Sequence, residues 1–332
     1  MQFKYSNFLI IEDEGLNICI DPTRNSINNS IALVSHAHTD HFCNLSKTTY
    51  TTKETQELLI SILPNPKFYF RDLEINKQID LTKNIKLTPL DSGHILGSCM
   101  FKFDIENKSI LYTSDFNSNP SLTSKSAKPV YSDILFIEST FGKKIFDFKE
   151  RGSLYYTLSN DIKKDLDDGK FIVLGGYSLG KNQEIISFIN QYLGVVPLVD
   201  STTFKFSEIY NKYGKNLKYK LLDHNIYFSN ILIMPLSLIN KDFLNSLRLQ
   251  LRKPVSSYIM TGWNFSRGSR LVHISDHSDY KSLIDFVDKV NPKIVYTMHG
   301  FSKEFARNIN NELGIVAKPI SEINQKSLLD FI

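Results

Sequence analysis

The segment VSHAHTDHFCNL, residues 34–45, places three histidines and one aspartate within six positions, directly after the apolar run IALV. Alternate residues of an extended segment point the same way, so His36 and His38 can bind one metal ion. Asp40 and His41 follow beyond the bend and can face a second ion. Single histidines at strand ends are more often structural, but this clustered spacing predicts a metal site.

A site for two ions needs more ligands than this segment offers, and the rest of the chain supplies further candidates singly. Each candidate follows a β-rich run and is expected at its carboxyl end: His94 in DSGHILGS, Asp115 in LYTSDFN and His299 in VYTMHG. Imidazole and carboxylate ligands suit Zn²⁺, our first expectation, and Mn²⁺ would accept the same set. The sequence therefore predicts a binuclear metal centre assembled from distant segments.

The elements that must position these ligands are short strands separated by turns. β-rich runs bordered by Asp, Gly or Asn predict the strands NICID, IALVS, IKLTPLD, MFKFDI and SILYTSD. A helix is expected from about Lys53 to Leu63. From Ser153 onward helices and strands alternate instead, in LYYTLSNDIKKDL, FIVLGG and KNQEIISFINQYL. After Arg270 the runs YKSLIDFVDKV, KIVYTM and SKEFARNINNEL predict a helix, a strand and a final helix.

This change of rhythm indicates a second fold inserted into a split first one. We expect a core formed by residues 1–150 and 266–332, with an inserted α/β domain in residues 151–265. The region from Phe141 to Arg270 holds 19 Lys plus Arg against 11 Asp plus Glu, although the whole chain carries a net charge of only +4. This local excess favours a polyanionic partner such as nucleic acid, but a solvated lysine-rich surface is its commoner meaning.

Composition places the chain among globular proteins with a large core. Of its 332 residues, 42% are hydrophobic and 22% charged, and no apolar run approaches the ~20 residues that cross a bilayer. The start MQFKYSNFLIIEDEG lacks a signal-peptide pattern, so we expect a cytoplasmic protein without a membrane partner. Cys19, Cys43 and Cys99 show no CxxC spacing and predict buried free thiols rather than disulfides or a thiolate zinc site.

HAHTDH, followed by GH and then by a lone Asp after a strand, resembles the metallo-β-lactamase superfamily. That resemblance implies an α/β fold, a four-layer αββα sandwich with a binuclear metal site. IESTFG, SDHSD and MHG resemble the β-CASP nucleases, which insert an α/β cap domain into this core. GHILGS, YSLGKNQE, TGW with RGSR, and SDHSDY resemble the DNA ligase-associated exonuclease branch. Lys181 and Asp276 point to the same branch, because the wider superfamily often has Arg and Gly or Ala there.

The resemblance also implies roles for individual side chains. One ion would be bound by His36, His38 and His94, the other by Asp40, His41 and His299, with Asp115 bridging them. Two ions about 3.5–4 Å apart could share a hydroxide nucleophile and the charge of a scissile phosphate. Asp21 and Glu138 would each orient a ligand histidine, although a strand-end acid such as Glu138 can instead cap a turn. His277 would contact the scissile phosphate and stabilise charge there.

The inserted domain is expected to contribute substrate contacts rather than chemistry. In FIVLGGYSLGKNQEI a strand leads through a glycine-containing turn into a helix, whose first N–H groups could bind a phosphate. The predicted substrate-binding residues are Ser178, Gly180, Lys181, Trp263, Arg267 and Arg270. Trp263 could stack on a base while the arginines bind the backbone. The alternatives are glycines that merely permit a tight turn and a tryptophan that packs in the core.

Residues that fit no catalytic role are expected to serve the fold. Asp276 and Asp279 are expected to start the helix near Tyr280, and His224 and His273 to belong to ordinary packing or surface.

Three classes of function are compatible with these observations. The first is a metal-dependent DNA exonuclease that acts on single-stranded or frayed DNA in repair or end processing, with a functional link to a DNA ligase. The alternative is an RNA-processing β-CASP exo- or endonuclease, since both RNA-acting relatives and the ligase-associated branch keep the histidine at His299. A small-molecule metallohydrolase or an inactive scaffold fits less well, because the first needs no long basic insertion and the second would have lost ligands.

Overall fold

The computed structural model describes residues 2–23, 29–43, 46–63, 69–223, 226–264 and 268–323. The chain divides into two compact units. Unit 1 comprises Met1–Pro120, Lys125–Asp147 and His277–Ile332, and unit 2 comprises Ser121–Ser124 and Phe148–Asp276. Within the described ranges, no helix has both the length and the apolar character needed to cross a membrane.

The helices and strands follow one another along the chain in three groups. The first part of unit 1 contains β1 (Gln2–Tyr5), β2 (Leu9–Asp13), β3 (Leu16–Ile20), β4 (Ser30–Leu33), β5 (Thr48–Thr52), α1 (Lys53–Ile62), β6 (Tyr69–Leu73), β7 (Ile79–Asp80), β8 (Ile85–Asp91), β9 (Cys99–Ile105), β10 (Lys108–Tyr112) and β11 (Ile134–Glu138). Unit 2 contains α2 (Arg151–Asp167), β12 (Phe171–Gly176), α3 (Lys181–Phe188), β13 (Leu198–Val199), α4 (Ser201–Lys212), β14 (Lys220–Leu221), β15 (Ile231–Pro235), α5 (Lys241–Leu251), β16 (Val255–Met260) and β17 (Arg270–Val272). The second part of unit 1 contains α6 (Tyr280–Val290), β18 (Ile294–Met298), α7 (Ser302–Leu313) and β19 (Val316–Pro319).

The first sheet of unit 1 has the strand order β1-β2-β3-β4-β5-β6. Strands β1 to β3 pair antiparallel, whereas β3 to β6 run parallel. The register pairs Ile20 with Leu33, so the carboxyl ends of β3 and β4 lie side by side. Helix α1 follows β5 directly because the hydroxyl of Thr52 accepts the N–H of Thr55 and caps the first turn. The predicted helix in this region is confirmed.

The second sheet of unit 1 has the strand order β19-β18-β11-β10-β9-β8-β7. Strands β10, β11, β18 and β19 are parallel neighbours, while β7, β8, β9 and β10 pair antiparallel. Two antiparallel steps from β10 bring β8 back to the direction of β10. The carboxyl ends of β8, β10, β11 and β18 therefore meet at one edge of this sheet.

The two sheets of unit 1 pack face to face, with helices on their outer faces. Apolar side chains from both sheets fill the interior, including Leu9 and Ile18 from the first and Phe101 and Phe136 from the second. Helices α6 and α7 bury a second apolar cluster against the other face of the second sheet. Helix α1 lies against β5 and β6 of the first sheet. These layers form the predicted αββα sandwich, and that prediction is confirmed.

Unit 2 is a parallel α/β structure. Its sheet has the order β14-β13-β15-β12-β16-β17, and every pairing in it is parallel. The helix predicted in KNQEIISFINQYL begins as α3 and continues as a π-helical turn over Ile189–Leu193. Strand β17 pairs with β16, so the sheet of unit 2 extends beyond residue 265, where the sequence places the domain boundary.

Candidate metal centre

The predicted ligands of unit 1 follow the strand ends that the two sheets bring together. His36 comes shortly after β4, and His94 and Asp115 follow β8 and β10. His299 follows β18 directly. Loops at the carboxyl ends of strands can hold polar side chains, and the strands keep these loops in position. A polar site can therefore form at this edge of the sheet.

Three groups of possible metal ligands share the Asp115 carboxylate, and two of them consist entirely of residues predicted as ligands. Within each group the ligand atoms lie within 4.8 Å of one another: His36, His38, His94 and Asp115 in the first, and His41, Asp115 and His299 in the second. Asp115 Oδ2 lies 3.7 Å from His36 Nε2 and 3.2 Å from His41 Nε2. This position between the groups is the one that a bridging carboxylate requires.

The surroundings of the His36 side chain show whether these residues fit a metal ion. Its side chain is completely buried, and its Nε2 atom has no hydrogen-bond partner among the described residues. Burial and then the neighbouring histidines lower the pKa of His36 well below its usual value. The imidazole is therefore neutral, and its lone pair is available. Three imidazoles and a carboxylate around a buried, unpartnered nitrogen fit a divalent transition metal.

His41 and Asp115 have the opposite electrostatic relationship. Burial lowers the pKa of His41, but the Asp115 and Asp21 carboxylates outweigh it and raise that pKa well above its usual value. Burial raises the pKa of Asp115, yet His41 and His277 bring it well below its usual value. Without a metal the two side chains form a buried ion pair, and a cation would compete with the shared proton.

Asp21 contacts Nδ1 of His41, the ring nitrogen that faces away from Asp115. Its Oδ2 lies 3.2 Å from His41 Nδ1 and accepts hydrogen bonds from the hydroxyls of Ser35 at 2.8 Å and Ser114 at 2.9 Å. Ser35 Oγ also lies 2.9 Å from His36 Nδ1. Sequence reasoning missed both serines, although each directly precedes a predicted ligand in its motif.

Close backbone approach explains the glycine of the MHG motif. Gly300 has φ 47°, and a Cβ atom there would come within 2.4 Å of the Ser139 carbonyl oxygen. His299 also adopts a left-handed conformation, with φ 56°, and its carbonyl accepts a hydrogen bond from Ser139 Oγ at 2.7 Å. The loop that carries His299 is thereby fixed against the end of β11.

Asp40 occupies a different place from the other predicted ligands. It is exposed and lines a small cavity together with Asp21, His41 and His299. Among the described residues, neither ligand group that contains Asp115 with these histidines includes Asp40. Its metal contact therefore stays a prediction.

Glu138 and His277 form the third group of possible metal ligands with Asp115. His277 Nδ1 lies 3.0 Å from Glu138 Oε1, and its ring centroid lies 4.6 Å from that of His94. The same Glu138 oxygen accepts the N–H of Phe116 at 2.9 Å. The prediction that Glu138 orients a ligand histidine differs from this arrangement, because the imidazole that it contacts is that of His277.

The predicted substrate residues of the glycine turn in unit 2 are engaged within that unit. Gly180 has φ 93°, and its N–H donates to Gln183 Oε1 at 2.7 Å. The Ser178 carbonyl accepts from Gln183 Nε2 at 3.1 Å. Lys181, whose side chain is 1% exposed, pairs with Glu184 and with Asp276 at 2.7 Å. This differs from the predicted phosphate contact of Lys181, because two carboxylates already neutralise its ammonium group.

The other predicted substrate residues of unit 2 are Trp263, Arg267 and Arg270, and the contacts of Trp263 differ from those of Arg270. Trp263 is partly buried, and its backbone N–H donates to Thr261 Oγ1 at 3.2 Å. The Arg270 side chain is 56% exposed, lies over the Tyr258 ring and pairs with Asp165 at 3.1 Å. Arg267, like His224, lies outside the described residues.

Two further expectations have different outcomes. Asp279 caps α6 by accepting the N–H of Ser282 at 2.9 Å, as predicted, but Asp276 pairs with Lys181 instead. Cys19 and Cys99 are buried free thiols, whereas Cys43 is exposed and the prediction for it was wrong.

Comparison with known proteins finds sequences that are similar to this chain. Residues 269–318 match a family described as the Zn-dependent metallo-hydrolase RNA specificity domain. A protein named Probable DNA ligase from Opitutus terrae is 28% identical over 307 residues, which cover 90% of this chain but only 29% of that protein. An RNase J-like protein from Methanocaldococcus jannaschii is 26% identical over 340 residues, covering 81% of this chain and 80% of its own length. The 5′ exonuclease Apollo of Gallus gallus is 28% identical over 167 residues, covering 48% of this chain and 35% of that protein.

Proposed function

Because the chain belongs to the metallo-β-lactamase β-CASP nuclease family, we propose that it hydrolyses phosphodiester bonds of nucleic acid with the help of bound metal ions. One observation carries this proposal: two groups of predicted metal ligands share Asp115, and the buried His36 Nε2 beside them has no hydrogen-bond partner among the described residues. A buried nitrogen in this state is costly unless a ligand satisfies it.

We propose two Zn²⁺ ions as the cofactor, with Mn²⁺ as the alternative. One ion would be held by His36, His38 and His94, the other by His41 and His299 with Asp40 approaching from the exposed side, and both by Asp115. When bound, such ions lower the pKa of water and stabilise negative charge on a phosphate.

Hydrogen bonds behind the ligands choose which ring nitrogen faces the site. The Asp21 carboxylate accepts from His41 Nδ1, so Nε2 is the atom presented toward Asp115. Ser35 occupies His36 Nδ1 in the same way and leaves Nε2 available. Such outer contacts fix both the tautomer and the orientation of a ligand histidine. Asp21 is therefore proposed as a positioning residue.

His277 is proposed to bind the scissile phosphate. A carboxylate accepts hydrogen bonds, so the contact with Glu138 places the Nδ1 proton between the two side chains and orients the His277 ring. His277 is 22% exposed, so substrate can reach it, while Glu138 is buried. A protonated or donating imidazole at this point would stabilise the charge that develops on phosphate oxygens.

For the substrate we propose DNA, degraded from an end in repair or end processing. The support is the match of 90% of this chain to a protein named for DNA ligase, which also suggests a functional link to a ligase, together with the likeness to a 5′ exonuclease. A ribonuclease is the second candidate. It is favoured by the RNA specificity profile over residues 269–318 and by the RNase J-like relative, of which this chain covers 80%.

A substrate panel tests these proposals. End-labelled single- and double-stranded DNA and RNA are incubated with the full chain and Zn²⁺ or Mn²⁺, beside His41→Ala and the matched variant His273→Ala. We expect metal-dependent shortening of single-stranded DNA by wild type and His273→Ala, with little or none by His41→Ala. The label shows direction and first cut. Equal products from His41→Ala would reveal a contaminant, and intact substrates throughout would refute a nuclease.

A further inference from the structure

Unit 2 contains a buried set of charged side chains that the proposed chemistry does not use. We call it the charge cluster, and its members are Arg151, Tyr155, Lys181, Glu184 and Asp276. Lys181 and Glu184 are each 1% exposed. The Glu184 carboxylate accepts hydrogen bonds from Arg151, Lys181 and the Tyr155 hydroxyl. Lys181 Nζ also lies 2.7 Å from Asp276 Oδ1. Two cations are thus balanced by two carboxylates.

Such a cluster is an inefficient way to stabilise a fold. Taking charges out of water is expensive, and well-packed apolar side chains of similar volume often do as well or better. What a buried ionic set does supply is fixed geometry, because each charge must keep its partner in place.

The cluster fixes the two residues that come directly before His277. The Lys181 ammonium group binds the Asp276 side chain, and the Arg151 guanidinium donates to the Ser275 carbonyl oxygen. One contact is through a side chain and the other through the backbone, so both the position and the direction of this segment are set.

The residue after His277 is fixed separately in unit 1. The Ser278 N–H donates to the Phe116 carbonyl at 3.0 Å, and Ser278 Oγ accepts from the Ser118 N–H at 3.0 Å. Within unit 1 this holds the backbone directly after His277, whose imidazole meets Glu138 at 3.0 Å. A displacement of about 1 Å would carry this contact outside hydrogen-bonding range.

We propose that the charge cluster positions His277, so that Lys181 and Arg151 act on catalysis through Ser275 and Asp276 without touching the substrate. This inference rests on the proposed function of His277 at the scissile phosphate. It assigns Lys181, the charged residue of the YSLGKNQE motif, a task different from phosphate binding. Its ammonium group is buried and already has two carboxylate partners, which suits a positioning residue.

A double-mutant cycle tests the proposal on the oligonucleotide that wild type cleaves. Lys181→Met should lower kcat by about 10- to 100-fold, because small misplacements of a catalytic group have effects of this size, while KM stays nearly constant. If Lys181 acts through His277, the double variant Lys181→Met/His277→Ala should be no slower than His277→Ala alone. Metal content should stay at the wild-type level in all three variants.

Two further variants guard against trivial explanations. Lys102→Met removes another partly buried lysine that pairs with an aspartate, at 2.9 Å in unit 1, and should leave kcat unchanged. If thermal melting shows that Lys181→Met does not fold, Asp276→Asn removes the charge of the same contact with less change of volume. It should reproduce both the loss of kcat and the lack of additivity.

A measurement without substrate separates this inference from the proposed function. The ring resonances of His277, identified by their loss in His277→Ala, should shift in Lys181→Met but not in Lys102→Met. Unshifted resonances would overturn the inference whether or not the protein cleaves nucleic acid. A raised KM, with losses that add to those of His277→Ala, would overturn it by showing that Lys181 contacts substrate. Absence of cleavage by wild type would instead refute the proposed function.

Discussion

The metal centre of unit 1 and the charge cluster of unit 2 both bury polar side chains, but they satisfy them differently. At the metal centre His36 Nε2 has no hydrogen-bond partner within the described part of the chain, and several imidazoles converge on the single Asp115 carboxylate. In the charge cluster the Glu184 carboxylate accepts hydrogen bonds from three side chains. An unsatisfied nitrogen where imidazole and carboxylate ligand atoms converge favours a bound cation, whereas a saturated set favours a scaffold.

Electrostatics separates the two regions in the same way. Burial and the adjacent histidines lower the pKa of His36, so the metal centre keeps a neutral ring with a free lone pair. Burial also opposes the charge of Arg151, yet the Glu184 carboxylate outweighs it and raises the pKa of the guanidinium. One region is thus prepared for an external cation, and the other carries its own cations.

The largest effect is expected from Asp115→Asn, which would break the metal centre. Asp115 belongs to both of the groups proposed to hold the ions, and an amide cannot supply the negative charge that holds two cations. We expect metal content to fall well below that of wild type and nuclease activity to fall roughly 10³-fold, because several kcal/mol of charge stabilisation is lost. Metal analysis of the dialysed protein and cleavage assays measure both effects.

A carboxylate of unit 1 outside the metal centre provides the control for Asp115. Asp104 pairs with Lys102 at the surface of the second sheet, so Asp104→Asn should retain metal and activity. Full metal content in Asp115→Asn would show that Asp115 is not a shared ligand, and the contrast between the two regions would disappear.

Glu184→Gln should break the charge cluster instead. It leaves Arg151 and Lys181 buried with one full negative charge fewer, and loss of one partner from a buried pair costs about 3–5 kcal/mol. Urea unfolding should show this loss, while metal content stays at the wild-type level. Glu74→Gln, at an exposed pair with Lys77, is the matched control and should cost at most about 1 kcal/mol. Equal stability of the two variants would contradict the saturated-scaffold interpretation.

Local sequence patterns were enough to predict most of the fold and the cluster of candidate metal ligands. The helix predicted in YKSLIDFVDKV is α6 residue for residue, because its apolar periodicity and its Asp279 cap agree. The HAHTDH spacing brought His36, His38 and His41 together because one short loop carries all three.

Long-range pairing explains what the sequence could not provide. Lys181 followed a glycine turn and was interpreted as a phosphate contact, since nothing local reveals that Asp276, distant in sequence, reaches its ammonium group. Strand β17 is only three residues long and pairs in parallel with β16, a contact that local patterns do not encode. Each difference arises from the path of the chain between elements.

The smallest effect on stability is expected at Asp165, a second buried carboxylate of unit 2 whose hydrogen bonds are satisfied. Its contribution should depend on pH. Burial raises the pKa of Asp165, but hydrogen bonds from Lys170 and Tyr258 outweigh it and lower that pKa to about 2. A folded-state pKa below the unfolded value means that the stabilisation is complete at neutral pH and is lost as the pH falls toward 2. Asp165→Asn should therefore reduce the free energy of unfolding by about 2 kcal/mol at pH 7, and the difference from wild type should shrink as the pH falls from 4 to 2. Asp168→Asn, at a half-exposed partner of the same lysine, should change little, and a pH-independent deficit in Asp165→Asn would show that packing rather than charge holds this carboxylate.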